Sequence, residues 1–186
     1  MSYKAIVIGS SAGGLAALKE LLSSLKKSFK IPIIIVQHIS PQSDNYITTY
    51  LNNLCELKVK EADQRELIKK GHVYFATPNF HLLVEENYSF SLSTEDRVNY
   101  ARPSIDVLFE TASFAYGEKL IGIVLTGANH DGAKGLRIIK ERGGLTIVQD
   151  PKEAEVDSMP LNAIKESKVD QVLKLKDIAD FLNRLG

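Results

Sequence analysis

The stretch that decides the fold is Tyr3–Leu22, YKAIVIGSSAGGLAALKELL. Its opening run, KAIVIG, is short, apolar and rich in β-branched residues, as in a strand covered on both faces. After the break, Leu15, Leu18, Leu22 and Leu25 recur at helical spacing. A second apolar run, IPIIIVQH (31–38), reads as another covered strand. Strand, helix and strand in this order predict two parallel strands joined by a right-handed crossover. Two serines and two glycines occupy the first strand-to-helix turn, and their purpose is the question on which function depends.

Further along, Ile47, Tyr50, Leu51 and Leu54 mark a second helix, with Ser43 as its cap. GHVYFATP (71–78), HLLVEE (81–86) and YSFSLS (88–93) are closely spaced strand-like runs, read together as an antiparallel insertion or edge hairpin. RPSIDVLFETA (102–112) opens a helix, with Pro103 and Ser104 at its start and Ile105, Leu108, Phe109 and Ala112 on one face. The α/β alternation resumes with the strand KLIGIVLTG (119–127), a helix from about Gly132 to Arg142 and the strand GLTIVQD (144–150). A final amphipathic helix carries Ile178, Phe181, Leu182 and Leu185. The pattern predicts a single three-layer α/β domain over residues 1–186, doubly wound around a mainly parallel sheet with a small antiparallel hairpin element.

The bulk composition narrows the class. The 186 residues are 44% hydrophobic, enough for one sizeable core. Lys plus Arg and Asp plus Glu are both 23, so the formal net charge is zero and a basic footprint for nucleic acid is missing. No apolar stretch approaches the roughly 20 residues that span a bilayer, and the start lacks the h-region of a signal peptide. The single cysteine, Cys55, has no internal disulfide partner, reads as a packed thiol at a helix end, and suits the reducing cytoplasm.

The small-residue turn has three physical uses. Glycines let a helix pass close to a sheet with no chemistry attached. Backbone N–H groups at a helix start can face a phosphate. The dinucleotide form of that site fits poorly here. Ser11 stands where the second glycine of G-x-G-x-x-G belongs, and Gln37 and His38 stand where the ribose-binding acid is expected. The third use is a nucleophile elbow, since Gly9–Gly13 satisfies G-x-S-x-G with Ser11 at its centre.

A nucleophilic serine needs a base and an orienting acid. His38 ends the second strand, on the same carboxyl edge as Ser11, and neighbouring strands lie about 4.8 Å apart. His81 follows a turn that stands either near a pocket or at the surface, while His72 begins a strand and reads as structural. Asp131, in the loop ANHDGA after the third core strand, is the candidate acid; capping the following helix is its competing explanation. Asp150 is a weaker rival, and His130 is read as pointing elsewhere. No histidine follows Asp131, so the order nucleophile, acid, histidine of α/β-hydrolases is excluded.

Several ordered motifs resemble the catalytic domain of the CheB-type protein-glutamate methylesterases, nearly end to end. IGSSAGG resembles that family's IGASTGG turn, and IVQH its second-strand histidine motif. EADQRELIKKGHVYFATPNFHL follows its middle segment, and RPSIDVLFETA resembles RPSVDVLF. LTGANHDGAKGL resembles LTGMGxDGAxGL, and TIVQD followed by SMPLNAI resembles TIxQD and GMPxxAI.

The resemblance implies a serine hydrolase with Ser11 as nucleophile, His38 as base and Asp131 as acid. It would cleave glutamate γ-methyl esters of a chemoreceptor-type helical protein and deamidate particular glutamines, without cofactor or metal. It also implies an oxyanion site or cleft near Ala12, Ala128, Asn129, Arg102 and Met159. Among the positions where this chain departs from those motifs are Ser10 for alanine, Ala12 for threonine, Ala128 for methionine, Asn129 for glycine and Ser158 for glycine. Asn129 is expected to keep the loop's shape by taking a left-handed conformation. Familiar members carry an N-terminal receiver domain, whereas this chain begins at the first catalytic strand; a free-standing esterase, an enzyme regulated by a receiver in trans and an excised domain are the three expectations that follow. A noncatalytic module that binds a receptor or kinase is the competing expectation.

Overall fold

The structure, a computed structural model, describes residues 2–39 and 46–186; the cap expected at Ser43 lies outside them. In chain order the elements are β1 (Ala5–Ser10), α1 (Gly14–Ser23), β2 (Ile33–Gln37), α2 (Tyr46–Leu54), β3 (Lys58–Glu61) and β4 (His72–Phe75). Then come β5 (His81–Val84), β6 (Phe90–Ser93), α3 (Ile105–Tyr116), β7 (Leu120–Val124), α4 (Ala133–Glu141) and β8 (Leu145–Gln149). The chain closes with α5 (Ser158–Glu166), β9 (Gln171–Leu173) and α6 (Leu175–Asn183).

Seven strands form one wholly parallel sheet in the order β3-β4-β2-β1-β7-β8-β9. Every residue of β1, β2 and β7 is buried, which is why these strands read as unbroken apolar runs. Alternate residues feed opposite cores. Ile6 and Ile8 pack with α1, α2 and α6, whereas Ala5 and Val7 pack with α3, α4 and α5. The three-layer, doubly wound architecture expected from the pattern is the one observed.

One assignment changes. GHVYF is not part of an antiparallel insertion: it is β4, the parallel neighbour of both β2 and β3. Among the described strands it is β5 and β6 that pair antiparallel, in a separate ribbon whose Leu82, Val84 and Phe90 join the α3 core. The edge strands β3 and β9, KVKE and QVL, escaped notice because they are short and half-exposed, and so lack an apolar run. SMPLNAIKE, quoted above only for its motif, is α5; Pro160 lies in its first turn, where no backbone donor is needed.

The strand order reverses between β1 and β7. Successive connections carry the chain from β1 toward β2 on one side and later return it to β7 on the other. Helices on opposite faces diverge there and leave a crevice at the carboxyl ends of the strands.

Candidate active site

The turn after β1 is shaped by close packing. Gly13 adopts φ 76° at the entrance to α1, a left-handed conformation open to glycine at little cost. A Cβ on Gly14 would lie 2.0 Å from Gln37 Oε1, so the glycine makes room for that side chain. Gln37 uses the room to join two strand ends. Its Oε1 accepts the buried Ser10 hydroxyl at 2.6 Å, and its Nε2 donates to Ser11 O and His38 O, both at 2.9 Å. One side chain therefore fixes the backbone on either side of the cleft.

Thr126 secures the third strand end. Its hydroxyl lies 2.9 Å from Ala12 O, and its carbonyl accepts the Ser11 N–H at 3.0 Å. Its own N–H donates to Gln149 Oε1 at 2.9 Å. Gln37 and Thr126 together lock the ends of β1, β2 and β7 through polar side chains that are themselves buried.

His38 and Asp131, 93 residues apart, meet with Nε2 to Oδ2 at 2.8 Å. Asp131 is 1% exposed. It accepts from five donors: His38 Nε2, Asn99 Nδ2, Ser104 Oγ, and the N–H groups of Ile105 and Asp106. Burial pushes its carboxyl pKa up. The bonds from His38, Asn99 and the Ile105 N–H, with the His38 charge, outweigh burial and hold it below the ordinary value. Asp131 therefore stays a carboxylate, and His38 Nε2 carries the ring proton donated to it.

The capping explanation for Asp131 names the wrong helix. Asp131 sits over the N-terminus of α3, where the macrodipole favours a negative charge. The N-terminus of α4 is capped by Asp106, whose Oδ1 accepts the N–H groups of Gly132 at 3.0 Å and Gly135 at 2.6 Å. Asp106 in α3 thus caps α4, and Asp131, two residues before α4, caps α3. Burial raises the Asp106 pKa, as does the neighbouring Asp131 charge; the Gly135, Asn99 and Gly132 bonds only partly oppose this.

Ser11, His38, Ala128, Asn129, His130 and Arg102 line one cleft of about 520 Å³, together with Tyr100. His130 thus stands at the cleft, not away from it. Among the described residues no cluster of His, Cys, Asp or Glu has the arrangement of a metal site.

The CheB methylesterase family model matches residues 6–182. The chain belongs to that family. A Leptospira interrogans relative, provisionally named protein-glutamate methylesterase/protein-glutamine glutaminase, is 56% identical over 185 residues, covering 100% of this chain and 96% of that protein. A protein-glutamate methylesterase/protein-glutamine glutaminase of Thermotoga maritima is 38% identical over 188 residues, and there the chain spans 55% of the relative's length. The crystal structure of the Thermotoga maritima CheB methylesterase catalytic domain superposes with a TM-score of 0.94 at 36% identity, covering 100% of both chains.

Within this CheB fold several expectations need correcting. Met159 is 1% exposed and packs beneath the loop instead of lining the cleft: a Cβ on Gly127 would strike its sulfur at 1.9 Å. Arg102 does reach the cleft, but its guanidinium is engaged with Asn79 Oδ1, Thr94 O and Glu95 O, a clamp between two loops. The Ala12 side chain is exposed just before α1 and does not line the cleft, which leaves only its backbone to serve the site. Asn129 does not have a positive φ; its Oδ1 shapes the loop by accepting the Asp131 N–H at 3.0 Å. His81 is neither a cleft nor a surface residue. It is 2% exposed, accepting the Ser104 N–H at Nδ1 and donating from Nε2 to Asp96 O. Asp150 shapes its own turn by accepting the Lys152 N–H.

Asn99, like Asp106, is a polar residue of this network that the sequence does not single out. Val98 and Ala101 exchange two backbone hydrogen bonds around Asn99 and Tyr100, both at positive φ. This two-residue turn brings Asn99 Nδ2 to Asp106 and Asp131 together, at 2.8 and 3.0 Å. Tyr100 is left 92% exposed at the rim. Asparagine is a frequent choice for such a turn, but the tyrosine beside it hides the signal.

Proposed function

We propose that residues 1–186 act as a serine hydrolase unit that cleaves γ-methyl esters of glutamate on a chemoreceptor-type helical protein, releasing methanol. The observation that carries this reading is the shared cleft of Ser11 and His38, with His38 bound to the ionised Asp131 through Nε2. The family membership and the names of the relatives support the substrate class.

Ser11 Oγ attacks the ester carbonyl carbon while its proton passes to His38 Nδ1. The imidazolium so formed is stabilised by Asp131 on its opposite nitrogen. Its Nδ1–H then protonates the departing methoxide, and methanol leaves a glutamyl ester on Ser11. Water, deprotonated by Nδ1, attacks that ester; Ser11 recovers its proton and the glutamate carboxylate is released. The same cycle on a glutamine side chain expels ammonia in place of methanol.

Developing negative charge on the carbonyl oxygen needs donors that are not otherwise engaged. The N–H groups of Ser11 and Gly127 already serve Thr126 O and Val156 O. We therefore assign that role to backbone donors at Ala12, Ala128 and Asn129. The exposed Arg97 gives the cleft rim a positive charge suited to an acidic substrate helix. One unpaired cysteine, half-buried with its thiol pKa raised by burial, suits work in the reducing cytoplasm. Among the described residues no helix is long and apolar enough to cross a membrane.

The test is methanol release from methylated receptor fragments. Ser11→Ala is expected to abolish turnover while circular dichroism stays native, and His38→Ala to reduce it by at least about 10³-fold. Native turnover by Ser11→Ala overturns the reading. Tight binding of methylated receptor without any methanol release favours a noncatalytic docking module instead.

A further inference from the structure

The nitrogen that must accept the serine proton is already in use. With the ring proton on Nε2, His38 Nδ1 has one in-plane lone pair. Among the described residues it is Asn129 Nδ2, at 3.1 Å, that donates to it, and not the Ser11 hydroxyl. The amide's orientation is set independently. Asn129 Oδ1 accepts the Asp131 N–H at 3.0 Å, which turns the NH2 group toward the ring. The Asn129 carbonyl lies within 3.5 Å of Ser158 Oγ and Asn162 Nδ2 on α5, so the backbone beneath it is tethered as well.

We propose that Asn129 is a removable cap on the general base, competing with Ser11 for His38 Nδ1. The proposal rests on the hydrolase reading above and adds a positioning residue to it. Proton transfer from Ser11 forms an N–H bond at Nδ1 as the Oγ–H bond breaks, and the lone pair cannot take that proton while it accepts one from Asn129. Release is a side-chain rotation that also gives up the Asp131 N–H bond, and it has room because Asn129 is half-exposed on the cleft wall. Glycine, which the resembled motif carries here, has no group that can compete.

Two variants and a small alkyl fluorophosphonate test the cap. When Ser11 attacks the reagent, an Oγ–P bond forms, the P–F bond breaks, fluoride leaves and the serine proton goes to Nδ1. Asn129→Gly removes the amide and the side-chain turn together. Asn129→Ser removes the amide but keeps an oxygen to accept the Asp131 N–H. Both are expected to label about fivefold faster than the unaltered protein, the factor set by one ordinary neutral hydrogen bond. The His38 Nδ1 nitrogen resonance, recorded in the Ser11→Ala background, is expected to move downfield in both variants as the bond is lost.

Equal or slower labelling in both variants, or an unmoved resonance, overturns the cap while Ser11-dependent labelling leaves the hydrolase reading standing. A gain with Asn129→Gly alone assigns the effect to loop freedom and also overturns it. Labelling that persists in Ser11→Ala overturns the hydrolase reading, and the cap with it.

Discussion

Gly14, in the turn after β1, leaves room for Gln37 because it lacks a side chain; a Cβ there would stand 2.0 Å from Gln37 Oε1 and 2.9 Å from Ser10 Cβ. Asp131, in the loop after β7, is held by five donors that converge on one buried carboxylate. Both residues stand beyond the carboxyl edge, after the neighbouring strands β1 and β7. One position tolerates no extra atom, and the other no missing charge. The serine is therefore placed by packing and the histidine by electrostatics, so the two halves of the site should fail in different ways.

Removing the charge is the larger break. Asp131→Ala leaves its five donors without their acceptor inside the fold. The expected loss is on the order of 3–5 kcal/mol in urea unfolding, because each buried donor left without its acceptor costs about 1–3 kcal/mol. Hydrolysis should fall with it, because nothing then orients His38.

Adding an atom is the smaller break. Gly14→Ala forces Gln37 away from Ser11 O and His38 O, and overpacking of this kind costs about 1–3 kcal/mol. Thermal unfolding should register that loss, and kcat should drop more than KM rises, since backbone placement on both sides of the cleft is disturbed. Unchanged kinetics would mean that Gln37 does not position the site.

The finest distinction is one of pH, and it is expected on the electrostatic side alone. Asp131 has a folded pKa below its ordinary 3.8, so its stabilisation is complete above 3.8 and is lost as pH falls through the folded value. Asp106 has a raised folded pKa, so its ionisation costs stability above that value and costs nothing below 3.8. Asp131→Asn should therefore be more destabilising at pH 7 than at pH 3, and Asp106→Asn more destabilising at pH 3 than at pH 7. Gly14→Ala should cost the same at both. Denaturation curves for the three variants at the two pH values check the signs, and a shared sign for both aspartates would break the comparison.

The fold was legible wherever burial was complete on both faces. β1, β2 and β7 announced themselves as apolar runs, and α3 and α6 as helical stripes. β3, β9 and α5 did not, because their half-exposed residues follow no single period and Pro160 resembles a stop. The site was legible where a residue ends a predicted strand, as Ser11 and His38 do. Asn99 was not, since its turn is recognised by backbone angles that its neighbour Tyr100 disguises.

The sequence by itself determined the parallel sheet, the small-residue turn and three chemically suited side chains at strand ends, because periodicity and chain order depend on local pattern alone. Tertiary structure alone decided the partners. Asp131 caps α3 and Asp106 caps α4, Gln37 joins two strand ends, and Asn129 occupies the histidine lone pair. These are contacts of a few ångströms between segments far apart in the chain, and hydrogen bonding is too short-ranged and directional for linear order to reveal them.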